Sequence, residues 1–92
     1  MPPTVAAVVL NWNQSGLTLD CLAALRKSAR PVDRVVVVDN GSRPADRLAL
    51  VNGVPAGTLL VQLLANRGFA GGMNAGLAEA DRLGAAYAWL VN

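Results

Sequence analysis

Residues 35–42 read VVVVDNGS: four valines run straight into an aspartate, an asparagine, a glycine and a serine. An apolar run with no polar alternation is the pattern of a strand buried on both faces, the habit of parallel sheets. It ends abruptly, leaving the Asp39 carboxylate at the mouth of a buried strand, where it needs a partner. Ser42 follows as a candidate N-cap for the next element.

The same logic extends in both directions. TVAAVVLN, residues 4–11, is a short β-branched run of strand length, broken by WNQSG with Ser15 as a plausible N-cap. In LTLDCLAALRKSA, Leu17, Cys21, Leu22 and Leu25 share one face at helical spacing, and Pro31 stops that helix. After Ser42, RPADRLALVN reads as a second helix with Pro44 in its first turn and Asp46 near its positive end; Gly53 and Pro55 end it. TLLVQLL, 58–64, is a third apolar run. ANRGFAGGMNAG reads as a glycine-rich loop with Phe69 packed inward, and LAEADRLG as a helix closed by Gly84. AYAWLVN, 86–92, is a fourth strand. The order β-α-β-α-β-α-β predicts an α/β domain: a Rossmann-like parallel sheet of four strands with right-handed crossovers and helices on both faces.

Composition narrows the function classes. Ninety-two residues make one small domain, and an apolar content of 53% argues against disorder. No apolar run approaches the roughly 20 residues of a membrane-spanning helix, and the first residues lack the basic flank of a secretory leader. The net charge is +2 with scattered basic residues, and the one cluster, Arg26 to Arg34, sits where a helix ends and its dipole favours cations. Nucleic acid is therefore not the expected partner. Cys21 is the single cysteine, which fits a reducing, cytoplasmic compartment and a buried, inert thiol. With no histidine in the chain, His-based triads and His metal sites are excluded.

Ligands on doubly wound sheets bind beyond the carboxyl ends of the strands, where the strand order reverses. Here those ends carry Asn11, Trp12 and Asn13, then Asp39, Asn40 and Gly41, then Asn66, Arg67 and Gly68, then Asn92. Bulky Trp12 stands where a dinucleotide fingerprint needs glycine, and no P-loop string exists. A carboxylate at this edge can accept the imide N–H of uracil or thymine, a hydrogen that cytosine lacks at that position. It can equally cap the following turn through local backbone N–H groups. Asn11 and Asn13 add donors and acceptors for a base or ribose. Gly71 and Gly72 would let the backbone approach a ligand or a neighbouring strand, the helix N-terminus after them suits an anion, and Asn74 falls in its first turn.

Together, VAAVVLNWN, CLAALRKSARPVDRVVVVDNGS, ANRGFAGGMNAGL and AYAWLVN resemble the N-terminal half of a family 2 glycosyltransferase, especially its rhamnosyltransferase-like branch. The resemblance implies a partial GT-A fold in which residues 1–92 form the nucleotide-sugar-binding subdomain. It implies that Asp39 binds the pyrimidine of a UDP- or dTDP-sugar, that Asn11 and Asn13 line the nucleoside pocket, and that Asn66, Gly68, Gly72 and Asn74 border the nucleotide. The complete enzyme would transfer the sugar to an acceptor hydroxyl, by inverting displacement, at the inner face of the membrane. Members of the family continue past the fourth strand into an acidic DxD-type motif that holds a divalent metal, Mg or Mn, and later supply a catalytic base. The expectation is that those ligands lie outside this chain, that residues 1–92 bind no metal and contain no catalytic residue, and that they do not turn over alone. A stand-alone nucleotide-binding or regulatory module is the alternative. The fourth strand, left with an unpaired edge, is expected to promote self-association.

Overall fold

The computed structural model describes residues 4–28 and 32–91; Pro31 and Asn92, expected to end a helix and a strand, lie outside them. Seven elements alternate: β1 (Val5–Asn11), α1 (Ser15–Arg26), β2 (Arg34–Asn40), α2 (Pro44–Gly53), β3 (Thr58–Leu63), α3 (Gly68–Arg82) and β4 (Tyr87–Val91). The strands form one parallel sheet in the order β3-β2-β1-β4. The chain therefore steps from β1 to β2 to β3 in one direction and then crosses back to the far side of β1. Because each crossover keeps the same hand, this reversal puts α3 on the opposite face from α1 and α2.

The two cores show that division. Ala6, Val8, Val36 and Val38 point to one face and pack with Met73 and Ala80 of α3. Ala7, Val9 and Val37 point to the other and pack with Leu22 and Leu25 of α1 and Leu50 of α2. The period of two along β1 and β2 thus serves two different layers, which is why, past Arg34 at the start of β2, neither strand carries a polar residue before its last positions. The expected parallel α/β sheet, four strands with helices on both faces, is the fold observed, and it is consistent with part of a Rossmann-like GT-A domain.

Several local expectations are corrected. The stretch from Gly68 onward is not a loop but the first two turns of α3. Two of its glycines, Gly72 and Gly76, lie where the helix comes close to the sheet. A Cβ on Gly76 would overlap Val8 Cγ1 and stand 3.0 Å from Val38 Cγ2, and one on Gly72 would stand 2.6 Å from Leu10 Cδ1. Propensity against glycine is overridden by this packing. Phe69, expected to pack inward, is exposed, and so is Leu17 on α1; Thr18 takes the buried place next to Leu22 instead. Ser15 and Ser42 do not cap their helices: the N-cap positions are Gln14 and Arg43, neither with a side-chain cap bond. Both serines are used in the site described next.

Candidate functional site

The carboxyl ends of β1 and β2 lie side by side, with Asn11 in register with Asp39. Since β1 is flanked by β2 on one side and β4 on the other, Asn11 stands where the strand order reverses. Both side chains are fully buried, and with them Thr18, Asn40 and Ser42 form a polar layer over the end of the apolar sheet. Buried polar groups must be satisfied, and here they satisfy one another: among the described residues no buried side-chain nitrogen or oxygen is left without a partner.

Asn11 is the hub. Its Oδ1 accepts a hydrogen bond from Thr18 Oγ1 at 2.7 Å. Its Nδ2 faces three acceptors: Asp39 Oδ1 at 3.3 Å, Ser42 Oγ at 3.2 Å and Asp46 Oδ2 at 3.0 Å. One amide has only two hydrogens, so these three contacts share them. The Asp39 partner sought from the sequence is supplied from within: Arg47 Nε donates to Asp39 Oδ2 at 3.3 Å, and Arg47 Nη2 donates to the carbonyl of Leu63 at 3.1 Å. Arg47 thereby ties the mouth of β2 to the end of β3.

The sequence places Asp46 near the positive end of its own helix. It sits within the network as well. Its Oδ1 accepts the backbone N–H of Ser15 at 2.8 Å, so one carboxylate lies against the positive ends of both α1 and α2. Burial pushes its pKa up, but hydrogen bonds from Asn11, from the Ser15 backbone and side chain and from Ser42 outweigh this and hold it below the ordinary 3.8. Ser42 Oγ accepts the backbone N–H of Asn13 at 2.9 Å, and Asn13 Oδ1 accepts the N–H of Arg43 at 2.8 Å. Asn13 adopts a left-handed backbone, φ 51°, which its short polar side chain tolerates. These bonds fix the β1–α1 turn against the β2–α2 turn.

A second clamp holds the neighbouring turn. Asn40 Oδ1 accepts the N–H of Arg67 at 2.9 Å, and its Nδ2 donates to the carbonyl of Gly68 at 3.0 Å. Asn66 Oδ1 accepts the N–H of Gly68 at 2.6 Å, an Asx-turn into α3. Gly41 makes the approach of these turns possible: its φ is +77°, and a Cβ there would stand 2.5 Å from the carbonyl carbon of Ala65.

Of the residues singled out from sequence, Asn11, Asn13, Asp39, Asn66 and Gly68 are brought to this one edge. Asn66 and Gly68 are exposed there, whereas Asn11 and Asp39 are covered. Gly72 is buried against Leu10 and Asn40, so of the two uses open to its glycine it serves the neighbouring strand. Asn74 is exposed and lies in the second turn of α3, not the first. The reading of Asp39 as a cap for local backbone N–H groups is replaced by side-chain partners from β1 and α2. Arg47, Asp46 and Thr18 were missed as site residues. The available signal was polar residues in the first turn of the helices that follow the site strands.

Trp12, directly after the hub, is 52% exposed at the same edge. Beside it a groove of about 390 Å³ is lined by Val9, Leu10, Gln14, Leu17, Thr18 and Cys21. Another cavity, of about 360 Å³, opens at the opposite edge of the sheet beneath Leu25, Val32 and Pro55. Among the described residues no group of three or more His, Cys, Asp or Glu side chains is placed to hold a metal ion. Asp39 and Asp46 are engaged by Asn11, Arg47 and Ser15, and a guanidinium stands among them, so this donor set does not fit a divalent cation.

A parallel sheet with the observed order, a polar layer at its switch point and helix N-termini at the same edge is an architecture on which ligands bind beyond the carboxyl ends of the strands. The family model described as glycosyl transferase family 2 matches residues 6–88. The chain belongs to glycosyl transferase family 2. No curated protein matches it. Among the described residues no helix is long and apolar enough to cross a membrane.

Proposed function

We propose that this family 2 glycosyltransferase chain recognises the nucleoside diphosphate of an activated sugar, UDP- or dTDP-linked, at the edge built by Asn11, Asn13, Asp39 and residues 66–74. The observation that carries the reading is the buried Asp39 carboxylate at the switch-point edge of a family 2 sheet, held in place by Asn11 and Arg47. Asp39 accepts the imide N–H of uracil or thymine, a charge-assisted bond that cytosine does not offer. Trp12, exposed beside Asn11, gives the base an aromatic face to stack on. The N-termini of α1, α2 and α3 all open on this edge, and their positive ends, with Arg43 and Arg67, favour the diphosphate.

In this reading residues 1–92 form the recognition subdomain of a rhamnosyltransferase-like enzyme that moves the sugar to an acceptor hydroxyl with inversion. The divalent metal, Mg or Mn, and the catalytic base belong to residues other than those described. Among the described residues no strand pairs with the outer edge of β4, which carries exposed Tyr87, Trp89 and Leu90 without a charge among them. Antiparallel pairing with the same strand of a second copy would cover it.

The test is a titration followed by backbone amide shifts. Uridine should move the signals of residues 11–13, 39–47 and 66–74, and cytidine should move them far less. Shifts confined to the opposite edge of the sheet, around Arg26 and Arg34, would remove the assignment.

A further inference from the structure

The Asp39 carboxylate is closed in the structure: its side chain has no solvent-accessible surface, Asn11 takes Oδ1 and Arg47 takes Oδ2. A base that is to reach it must displace one of the groups that cover it. Asn11 is fully buried, held by Thr18 behind and by Ser42 and Asp46 beside it. Ser42 and Leu63 are buried as well. Arg47 differs, since its side chain is 30% exposed. It is also lightly held, through one contact of 3.3 Å to the carboxylate and one of 3.1 Å to a carbonyl. A guanidinium released into water is fully solvated, whereas an asparagine pulled out of the hub would leave Thr18, Ser42 and Asp46 short of their partner.

We infer that Arg47 is a specificity gate over Asp39: the pyrimidine imide N–H replaces the Arg47 Nε–H on Oδ2, and Arg47 swings outward as the base enters. This rests on the nucleoside reading above. The exchange is one hydrogen-bond donor for another on the same oxygen, with no change in covalent bonding. It makes selection a competition. Uracil and thymine bring a donor that can take the place of the guanidinium. Cytosine brings a lone pair at that position, which a carboxylate repels, so it leaves the gate shut. Arg47 thus sets a cost that every entering pyrimidine meets, and only a base that brings a donor to Asp39 offsets it.

The sign of one substitution separates this role from that of an ordinary binding residue. Uridine, which has no phosphate, is the probe, so that the lost positive charge does not enter through the diphosphate. Arg47→Ala should bind uridine roughly tenfold more tightly than the unmodified chain, the scale of one charge-assisted hydrogen bond no longer broken on entry. Cytidine should gain less, because its lone pair still meets the uncovered carboxylate, so the preference for uridine should not narrow. Unchanged or weaker uridine binding by Arg47→Ala, with Asp39→Asn still losing uridine, overturns the gate and leaves the nucleoside reading intact. If Asp39→Asn binds uridine as well as the unmodified chain, the nucleoside reading itself falls. Because Arg47→Ala leaves a buried carboxylate without its cation and can fail to fold, a second measurement uses the unmodified chain. The Arg47 Nε–H proton resonance should leave its hydrogen-bonded position and exchange faster with water as uridine saturates the site. A resonance that stays unmoved at saturation overturns the gate.

Discussion

Replacing Asn11 by aspartate changes one NH2 group into an oxygen and should destabilise the chain strongly at neutral pH. The wild-type Nδ2 faces Asp39 Oδ1 at 3.3 Å and Asp46 Oδ2 at 3.0 Å. An ionised carboxylate in its place would meet two like charges at contact distance, each repulsion on the order of 5 kcal/mol at an effective dielectric near 20. The cheaper course is for the new carboxyl to stay protonated. Holding it so at pH 7, about three units above its ordinary value near 3.9, costs about 4 kcal/mol at 1.36 kcal/mol per unit. A domain of this size has roughly 5–14 kcal/mol in all, so Asn11→Asp should be close to unfolding at neutral pH. The sign with pH follows. The folded-state pKa of the new carboxyl lies above its unfolded value, so the penalty is large at pH 7 and shrinks as pH falls toward about 4. Urea unfolding at a series of pH values measures this, with Asn11→Ala as the reference lacking a titrating group. A midpoint for Asn11→Asp equal to wild type at pH 7, or one that does not rise relative to Asn11→Ala on acidification, would refute the shared-amide account of the site.

Four further outcomes are expected. Gly76→Ala should lose about 1–2 kcal/mol in urea unfolding, because overlap with the stiff Val8 and Val38 side chains outweighs the roughly 1 kcal/mol gained in helix propensity; a stabilised variant would show that α3 can lift off the sheet without cost. Asp46 has a depressed pKa, so its contribution is present above the ordinary 3.8 and is lost as pH falls below it. Asp46→Asn should therefore be less stable than wild type at pH 7 and nearly equal to it at about pH 2, and a constant difference across that range would contradict the assignment. Trp12→Ala should weaken uridine binding roughly tenfold while leaving the unfolding midpoint unchanged, since stacking contributes about 1–3 kcal/mol per base and the side chain is exposed; equal affinity removes the stacking role. Sedimentation velocity should show a concentration-dependent larger species that Tyr87→Lys abolishes, lysine being a residue that blocks edge pairing. A monomer at every concentration would dispose of pairing through β4.

The parallel α/β sheet and the edge that carries the site were legible in the sequence, because both are written in short-range patterns. Unbroken valines in β2 state burial on both faces, and Asn11, Asp39 and Asn66 at or just beyond successive strand ends state which edge is polar. Where the local signal had two readings, only packing chose between them. The glycines from 68 to 76 suggest a loop by propensity, yet they are helix, and at Gly72 and Gly76 the neighbouring Leu10, Val8 and Val38 leave no room for a Cβ. Leu17 fits the helical apolar pattern of α1 and Phe69 was expected to pack inward, yet both face solvent. The partners of Asp39 were not singled out by any local pattern. Asn11 is 28 residues away in the chain, and Arg47, only eight away, reaches back over the edge because α2 starts beside β2. Sequence alone determined which faces are apolar and which edge is polar, since side-chain period and strand-end composition act within a few residues. Tertiary structure alone decided who satisfies whom, since a buried carboxylate takes its partner from whatever the fold brings within 3.3 Å.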